Sequence, residues 1–326
     1  MPCAVRSEPA RATRARGPAT RALRLVIGRV LLLAVLLAGV FVAMTFLPRD
    51  AAQATIDRGA SEAAVAMRRA QLGLDQPLAQ RFARWMSGLV VGDLGTTARD
   101  RPVAQVVLAA LPGTVVLAGL ALGLTVLVSV AVACVAALRP AGWFDRVTGS
   151  TATLTLALPE FVVGTVLVLV LALWAGLVPA VAITGTDGSV PARVLILPVL
   201  AVAIPQIGWN VRLVRAALAD EADAPHVDAA RLDGLSRRAL LLRHLLPGAL
   251  PTIAATAVTS VGLLLGGAVV VEAIFNYPGV GAVLAQAIQD RDAPLVAGVV
   301  ALTGAMILAL LLAADAVRAW ATWGVA

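Results

Sequence analysis

Six long apolar runs, each close to the thickness of a lipid bilayer, constrain this chain more than any other feature. They cover residues 25–47, 111–138, 147–174, 194–213, 250–271 and 295–317. A bilayer's hydrocarbon core is about 30 Å deep, and a helix needs about 20 apolar residues to cross it. Hydrophobic residues make up 60% of the 326, more than a soluble domain of this length can hide from water. In lipid each run must satisfy its own backbone N–H and C=O groups, which a helix does. The expected fold is an all-α polytopic membrane protein with six transmembrane helices, occupying residues 25–318. The first run could also be read as a secretory leader. A leader core holds only about 7–15 residues, however, and this run is longer.

Arginine distribution sets the expected orientation. The net charge is +7, and every basic residue is arginine. The tail 1–24 carries Arg6, Arg11, Arg14, Arg16, Arg21 and Arg24, and reads as disordered and basic. Arg139 and Arg146 separate the second and third runs, and Arg231, Arg237, Arg238 and Arg243 separate the fourth and fifth. The opposite short loops hold chiefly Arg193 and Arg291. By the positive-inside rule both termini are expected in the cytoplasm of a cell-membrane protein. Residues 48–110 then form an external loop, 218–248 a cytoplasmic loop and 319–326 a short C-terminal tail. Within the external loop, Arg68 to Leu74 has helical composition, and Gly73 to Pro77 reads as a stop and turn. Arg81 to Val91 is expected to be a second short helix, with Phe82 and Trp85 at the membrane interface. The arginines lie between apolar runs and not on one folded basic face. That pattern points to a lipid partner and to no nucleic acid.

The chemistry the sequence excludes is equally useful. Without lysine there can be no phosphate-binding loop and no Schiff base. His226 and His244 are too far apart in sequence for a helical zinc pair, and Cys3 and Cys134 suggest neither a disulfide framework nor a zinc site. No catalytic residue, metal ligand set or bound cofactor is expected. The chain reads as a non-enzyme.

The loop between the fourth and fifth runs is the most specific segment. Pro225 suits the first turn of a helix with acidic residues before it. Ala229 and Ala230 offer a small, flat surface, and Gly234 reads as a C-terminal cap. Asp228-Ala229-Ala230 is followed by three residues, Gly234, nine residues and His244-Leu245-Leu246-Pro247. This resembles the cytoplasmic signature of ATP-binding-cassette importer permeases: Glu-Ala-Ala, three residues, Gly, nine residues, Ile-x-Leu-Pro. Asp228 stands where the family has Glu, and His244 where it has Ile. Gly73-Leu74-Asp75-Gln76-Pro77, Gly92-Asp93-Leu94-Gly95-Thr96-Thr97, Arg101-Pro102-Val103, Leu111-Pro112-Gly113-Thr114 and the segment Glu272 to Gly281 are similar to dipeptide, oligopeptide and nickel permeases, specifically to the first of their two paired permeases. The basic C-terminal end usual in that family is missing, and the basic N-terminal tail is extra.

The resemblance implies a division of labour. This chain would form half of a pathway with a second permease, beside two cytoplasmic ATPases that hold ATP-Mg and an external solute-binding protein. Residues 218–248 would contain a coupling helix. Asp228, Ala229, Ala230, Gly234, Leu246 and Pro247 are its expected ATPase-coupling residues. Peptides are the implied cargo. Nickel would want ligand types that the spans lack.

Polar residues in the spans give a second candidate set. Glu160, after Pro159, would cost about 2.5–3.5 kcal/mol if ionised in mid-span, so it should face the bundle interior. It either lines the pathway or bonds to a neighbouring helix. Pro159 and Pro205 could kink their helices. Asn210, Arg212 and Arg215 read as interfacial anchors, and Gly262, Gly266 and Gly267 as sites of close helix packing. Glu272, Tyr277, Pro278 and Gly279 are candidate gate residues, with an ordinary interfacial carboxylate as the competing reading of Glu272. The alternative function is an ion-gradient-driven secondary transporter, which should show paired intramembrane charges or an internal repeat. One mid-span carboxylate and no evident repeat argue against it, and the scarcity of His and Cys argues against a membrane enzyme.

Overall fold

The computed structural model describes residues 18–45, 52, 61–71, 73–140, 142–181 and 191–323. All regular structure there is helical apart from an isolated bridge between Thr96 and Pro102. We number the helices α1 (Pro18–Thr45), α2 (Glu62–Gln71), α3 (Leu78–Val90), α4 (Val103–Leu138), α5 (Trp143–Leu156), α6 (Glu160–Leu167), α7 (Ala192–Ala222), α8 (Pro225–Leu232), α9 (Arg237–Leu240), α10 (Leu246–Phe275), α11 (Val280–Gln289) and α12 (Ala293–Trp323). Wider, π-type turns extend α6 through Val168–Trp174 and join α9 to α10 through Leu241–Leu245.

Five of these helices are long and apolar enough to cross a membrane, and a sixth crossing results if α5 and α6 are counted together. That pair is bent by 105°. The break has local causes. Thr151, Thr153 and Thr155 each return a hydroxyl bond to the carbonyl four residues back, which weakens a helix. Pro159 then supplies no N–H and holds extended backbone (φ −61°, ψ 147°). The expected kink at Pro159 is therefore a full break. Pro205 does the opposite: α7 runs unbroken through both Pro198 and Pro205.

α4, α7 and α10 form the centre. Ala121 on α4 packs with Leu197, Ala201 and Val202 on α7 and with Leu264, Val271 and Phe275 on α10. Backbones approach closely at Gly208, where an added Cβ would lie 2.1 Å from the Thr155 hydroxyl oxygen, and at Gly281, where it would lie 2.1 Å from the Val269 carbonyl oxygen. Of the glycines expected to do this, Gly266 has nothing within 4 Å and Gly262 only Leu311 at 3.6 Å. Gly267 does make a close contact, with Glu160.

Leu31, Leu32, Val35, Leu36, Leu127 and Leu173 are all exposed on the outside of the helices. Exposing so much apolar side chain to water would cost about 25 cal/mol per Å², whereas lipid removes the penalty. The terminal helices α1 and α12 are clamped by an Arg29–Asp315 ion pair of 2.8 Å. Asn210, expected at the interface, is instead buried, donating to the Gln206 carbonyl (2.9 Å) and to the Ser260 hydroxyl of α10 (2.8 Å).

At the end of the bundle carrying α11, α3 folds back onto α1. Phe41 meets Phe82 at 5.4 Å and Trp85 at 5.9 Å between ring centroids, with the Arg81 guanidinium 5.9 Å from the Phe41 ring centre.

Candidate functional site

The loop after α7 folds much as its sequence dictates. α7 ends at Ala222, Ala224 turns extended (φ −72°, ψ 140°), and Pro225 occupies the first turn of α8. The missing proline N–H costs nothing there, since the first N–H groups of a helix have no partner within it. At the other end Gly234 takes a left-handed φ of +81°. Its N–H donates to the Arg231 carbonyl (3.1 Å) and the Leu235 N–H to that of Ala230 (3.3 Å). This paired closure is a Schellman motif, and it fixes a helix of only eight residues.

α8 has two distinct faces. Val227 and Ala230 point inward, packed with Val214 and Leu218 of α7 and with Leu240, Leu241 and Leu245. Asp228, Ala229, Arg231 and Leu232 point outward. Ala230 is thus a core residue of its own chain, so the expected flat surface of two alanines reduces to Ala229 alone. Leu232, which the sequence reading passed over, is 88% exposed. Asp228 and Arg231 pair across one turn at 2.7 Å, an exposed bond worth about 0–1 kcal/mol that a partner could readily replace.

Leu246 and Pro247 lie inside a helix that is continuous from Arg237 to Phe275, and not at the boundary of a loop. Proline's ring crowds the carbonyl four residues back, and the wider turns over Leu241–Leu245 fall in that turn. The two histidines, distant in sequence, come together: their rings lie 5.9 Å apart, and His226 Nε2 is 3.3 Å from Glu221 Oε1. His244 therefore fills the unusual position of the signature by lying beside His226 of α8, the two rings tilted by 41°. Arg215, expected to anchor at the interface, forms an ion pair with Asp145 of α5.

At the opposite end, α10 terminates at Phe275 with Asn276 left-handed (φ 50°). Glu272 is completely buried. Its Oε2 accepts the Gly281 N–H at 2.6 Å, and the Tyr277 N–H donates to its backbone carbonyl at 2.9 Å. A Cβ on Gly279 would lie 2.3 Å from the Glu272 carboxyl carbon, so only glycine fits there without movement. The Thr114 hydroxyl of α4 accepts the Val280 N–H at 2.9 Å. Glu272, Tyr277 and Gly279 are therefore the internal staple of a hairpin, and Pro278 alone of the four candidate gate residues is exposed. Burial, and next the nearby Glu272 carboxylate, push the Tyr277 hydroxyl pKa up. Glu160 sits elsewhere, in the first turn of α6 with its carboxylate against Gly267 of α10.

One polar cluster had no signal in the sequence. Asp292, before α12, accepts the Ala98 N–H at 2.7 Å and the Leu295 N–H at 3.1 Å. Arg99 pairs with Asp290 at 2.9 Å, and Arg68 reaches both the Ala98 carbonyl (2.6 Å) and Asp100 (2.9 Å). Together these bonds fasten the loop before α4 to the corner between α11 and α12. Burial raises the Asp292 carboxyl pKa despite the two N–H donors that lower it. Among the described residues no group of three or more His, Cys, Asp or Glu is placed to hold a metal ion.

Comparison with known proteins places these features. Residues 129–322 match the family described as binding-protein-dependent transport system inner membrane component, and residues 21–118 match its N-terminal companion. Over 279 residues the chain is 34% identical to a Brucella abortus protein with a provisional peptide transport system permease name, covering 83% of this chain and 87% of that one. It is 30% identical over 272 residues to the glutathione transport system permease protein of Pectobacterium atrosepticum, covering 83% and 87% respectively. The Escherichia coli protein of the same name is 31% identical over 258 residues, 79% and 82% of the two chains. The chain belongs to the binding-protein-dependent permease family. It is a multi-pass membrane permease subunit of an ATP-binding-cassette importer, a transport subunit and not a catalytic one.

Proposed function

We propose that α8 is the coupling helix of this importer subunit and docks its outer face on a partner ATPase. The observation that carries this is the signature segment itself. Its Asp228-Ala229-Ala230 lies in the eight-residue helix that Pro225 opens and Gly234 closes, seated on its own bundle through Val227 and Ala230, with Asp228, Ala229 and Leu232 turned outward. A helix seated in this way passes on a rigid displacement that a loose loop would absorb. Leu246 packs against that seat from within the next helix, where Pro247 is exposed.

On this reading α5 and α6 make one broken crossing, giving six spans in residues 25–318 with both termini cytoplasmic. Residues 48–110 lie outside and 218–248 inside, while 18–24, expected as part of a disordered basic tail, already belong to α1 and the rest of that tail lies outside the described residues. The partners are a second permease completing the pathway, two ATPases holding ATP-Mg and an external solute-binding protein. The cargo class is peptides, including small thiol peptides of the kind named for the glutathione relatives. The hairpin from Glu272 to Gly279 borders the outer mouth, and Glu160 the route itself. The Arg29–Asp315 pair joins two peripheral helices near their ends and so offers no ion-coupling site, which disfavours a gradient-driven carrier.

The test combines topology with energy supply. In a background of C3S and C134S, S87C should react with an impermeant thiol reagent in intact cells, whereas S236C should not. In liposomes with its partners, uptake of a peptide such as glutathione should require enclosed ATP. Reversed labelling would overturn the orientation, and gradient-driven uptake by the chain alone would overturn the importer mechanism.

A further inference from the structure

A cavity of about 780 Å³ opens at the end of the bundle that carries α8 and α9, between α4, α5, α7, α8 and α9. Alanines and leucines of α4, α7 and α9 form its apolar wall, and its charged lining is Arg212, Arg215, Arg231, Arg237, Asp145 and Asp223. The charges are not all committed. Arg215 pairs with Asp145, and Arg231 with Asp228. Among the described residues Arg237 donates only to the Leu138 carbonyl, at 3.2 Å. Arg212 has no ion pair or hydrogen bond among the described residues, and Asp223 pairs with none of the four arginines. With Arg215 matched by Asp145 and Arg231 by Asp228, the uncommitted charges of the lining are Arg212 and Arg237 against Asp223, a net of plus one.

We propose that this cavity binds the phosphate of an anionic membrane-lipid headgroup, with Arg212 and Arg237 as its charge partners. A planar guanidinium offers forked donors matched to phosphate oxygens, and its weak hydration lowers the cost of entering a half-buried site. The cavity lies where α4 and α7 end their apolar stretches, so a headgroup can enter while its acyl chains stay in the bilayer. Basic pockets between transmembrane helices at this depth suit lipid phosphates in general. Arg231 of α8 also lines it, so an occupied site would touch that helix. Lipid binding is read on the chain alone, without ATPase, so its outcome is separate from that of the docking proposal.

The experiment uses the full chain purified in a neutral detergent. It is titrated with short-chain phosphatidylglycerol, with phosphatidylcholine of the same chain length and with inorganic phosphate, and binding is read by native mass spectrometry. Phosphatidylglycerol should bind and phosphatidylcholine should not compete with it. R212Q and R237Q should each weaken phosphatidylglycerol binding about fivefold, and the double variant about twenty-five-fold. R84Q, on α3 at the far end, controls for general loss of charge and should bind normally. R212Q breaks no bond among the described residues, so its elution profile and Tm should match the wild type. Unchanged affinity in the double variant, or equal binding of both lipids, overturns the site. Arginine-dependent binding of inorganic phosphate as tight as that of the lipid overturns the lipid assignment in favour of a soluble phosphate.

Discussion

Leu232 is the sharpest probe of the docking proposal because its side chain is almost wholly exposed. The side chain is 88% exposed, beside a helix terminus already closed by Gly234. Truncation to alanine should leave the stability of the permease alone within about 0.5 kcal/mol, as for surface positions that make no contact. Burial against an ATPase groove would be worth about 1.5–3 kcal/mol for a leucine side chain. L232A should therefore weaken ATPase binding roughly tenfold to a hundredfold, and L232D should weaken it further by burying a charge. Ala230 supplies the contrast. It lies in the internal cluster with Leu240 and Leu245, so A230W should lower the Tm of the permease by itself. Overpacking of this kind costs about 1–3 kcal/mol. The assay titrates purified ATPase against detergent-solubilised permease, alongside transport in liposomes and the Tm of the permease alone. If L232A binds ATPase and transports like the wild type, α8 does not dock through this face and the coupling argument fails.

Other outcomes follow from the geometry. Gly234 has a φ of +81° with nothing within 4 Å of an added Cβ, so G234V should destabilise by backbone strain alone, about 1–2 kcal/mol. G234N should cost clearly less, and equal effects on Tm would refute the strain account. Glu272 accepts the buried Gly281 N–H, so E272A should cost about 1–3 kcal/mol by orphaning that donor, while E272Q keeps an acceptor and should be milder; the Tm of both variants decides. Asp292 has a pKa raised chiefly by burial. Its contribution to stability is therefore fullest below the unfolded pKa and declines as pH rises through the folded value. The Tm of the wild type relative to D292N should fall from acid towards neutral pH, and a flat difference would refute the assignment.

The long helices were legible because their signal is cumulative: some twenty apolar residues leave a segment few alternatives to crossing a bilayer. The caps were legible because they rest on backbone chemistry belonging to one residue. Pro225 opens α8, Gly234 closes it, and Gly73, at φ +64°, follows α2. The faces of α8 were not, since an eight-residue helix with two adjacent alanines does not say which of them meets its own bundle. The break at Pro159 and the continuity through Pro205 differ for the same kind of reason. Threonines weaken α5 before the first proline, while the second sits in a helix packed against α4 and α10 on both sides. Asp292 and the His226–His244 contact are pairings between distant segments, and no local pattern announces such a meeting.

Between the two candidate regions runs one helix. From Arg237 to Phe275 the chain is helical without interruption for 39 residues, about 58 Å at the usual rise. Its first turns share a core with Val227 and Ala230 of α8, and its last turn carries Glu272, which fixes the hairpin through Gly281. A displacement of α8 therefore reaches its start directly. Along the middle it is held by α4 and α7, and Asn210 of α7 is bonded to Ser260 near its midpoint. A helix gripped there can tilt more readily than it can slide, so inward movement at one end becomes outward movement at the other. The π-type turns at Leu241–Leu245 lie between α8 and that grip, where a small change in winding would alter the angle without breaking the helix. On the proposed function, this places the compliance of the mechanism next to the ATPase and its rigidity in the membrane, as the transmission of a small cytoplasmic movement to an outer hairpin requires.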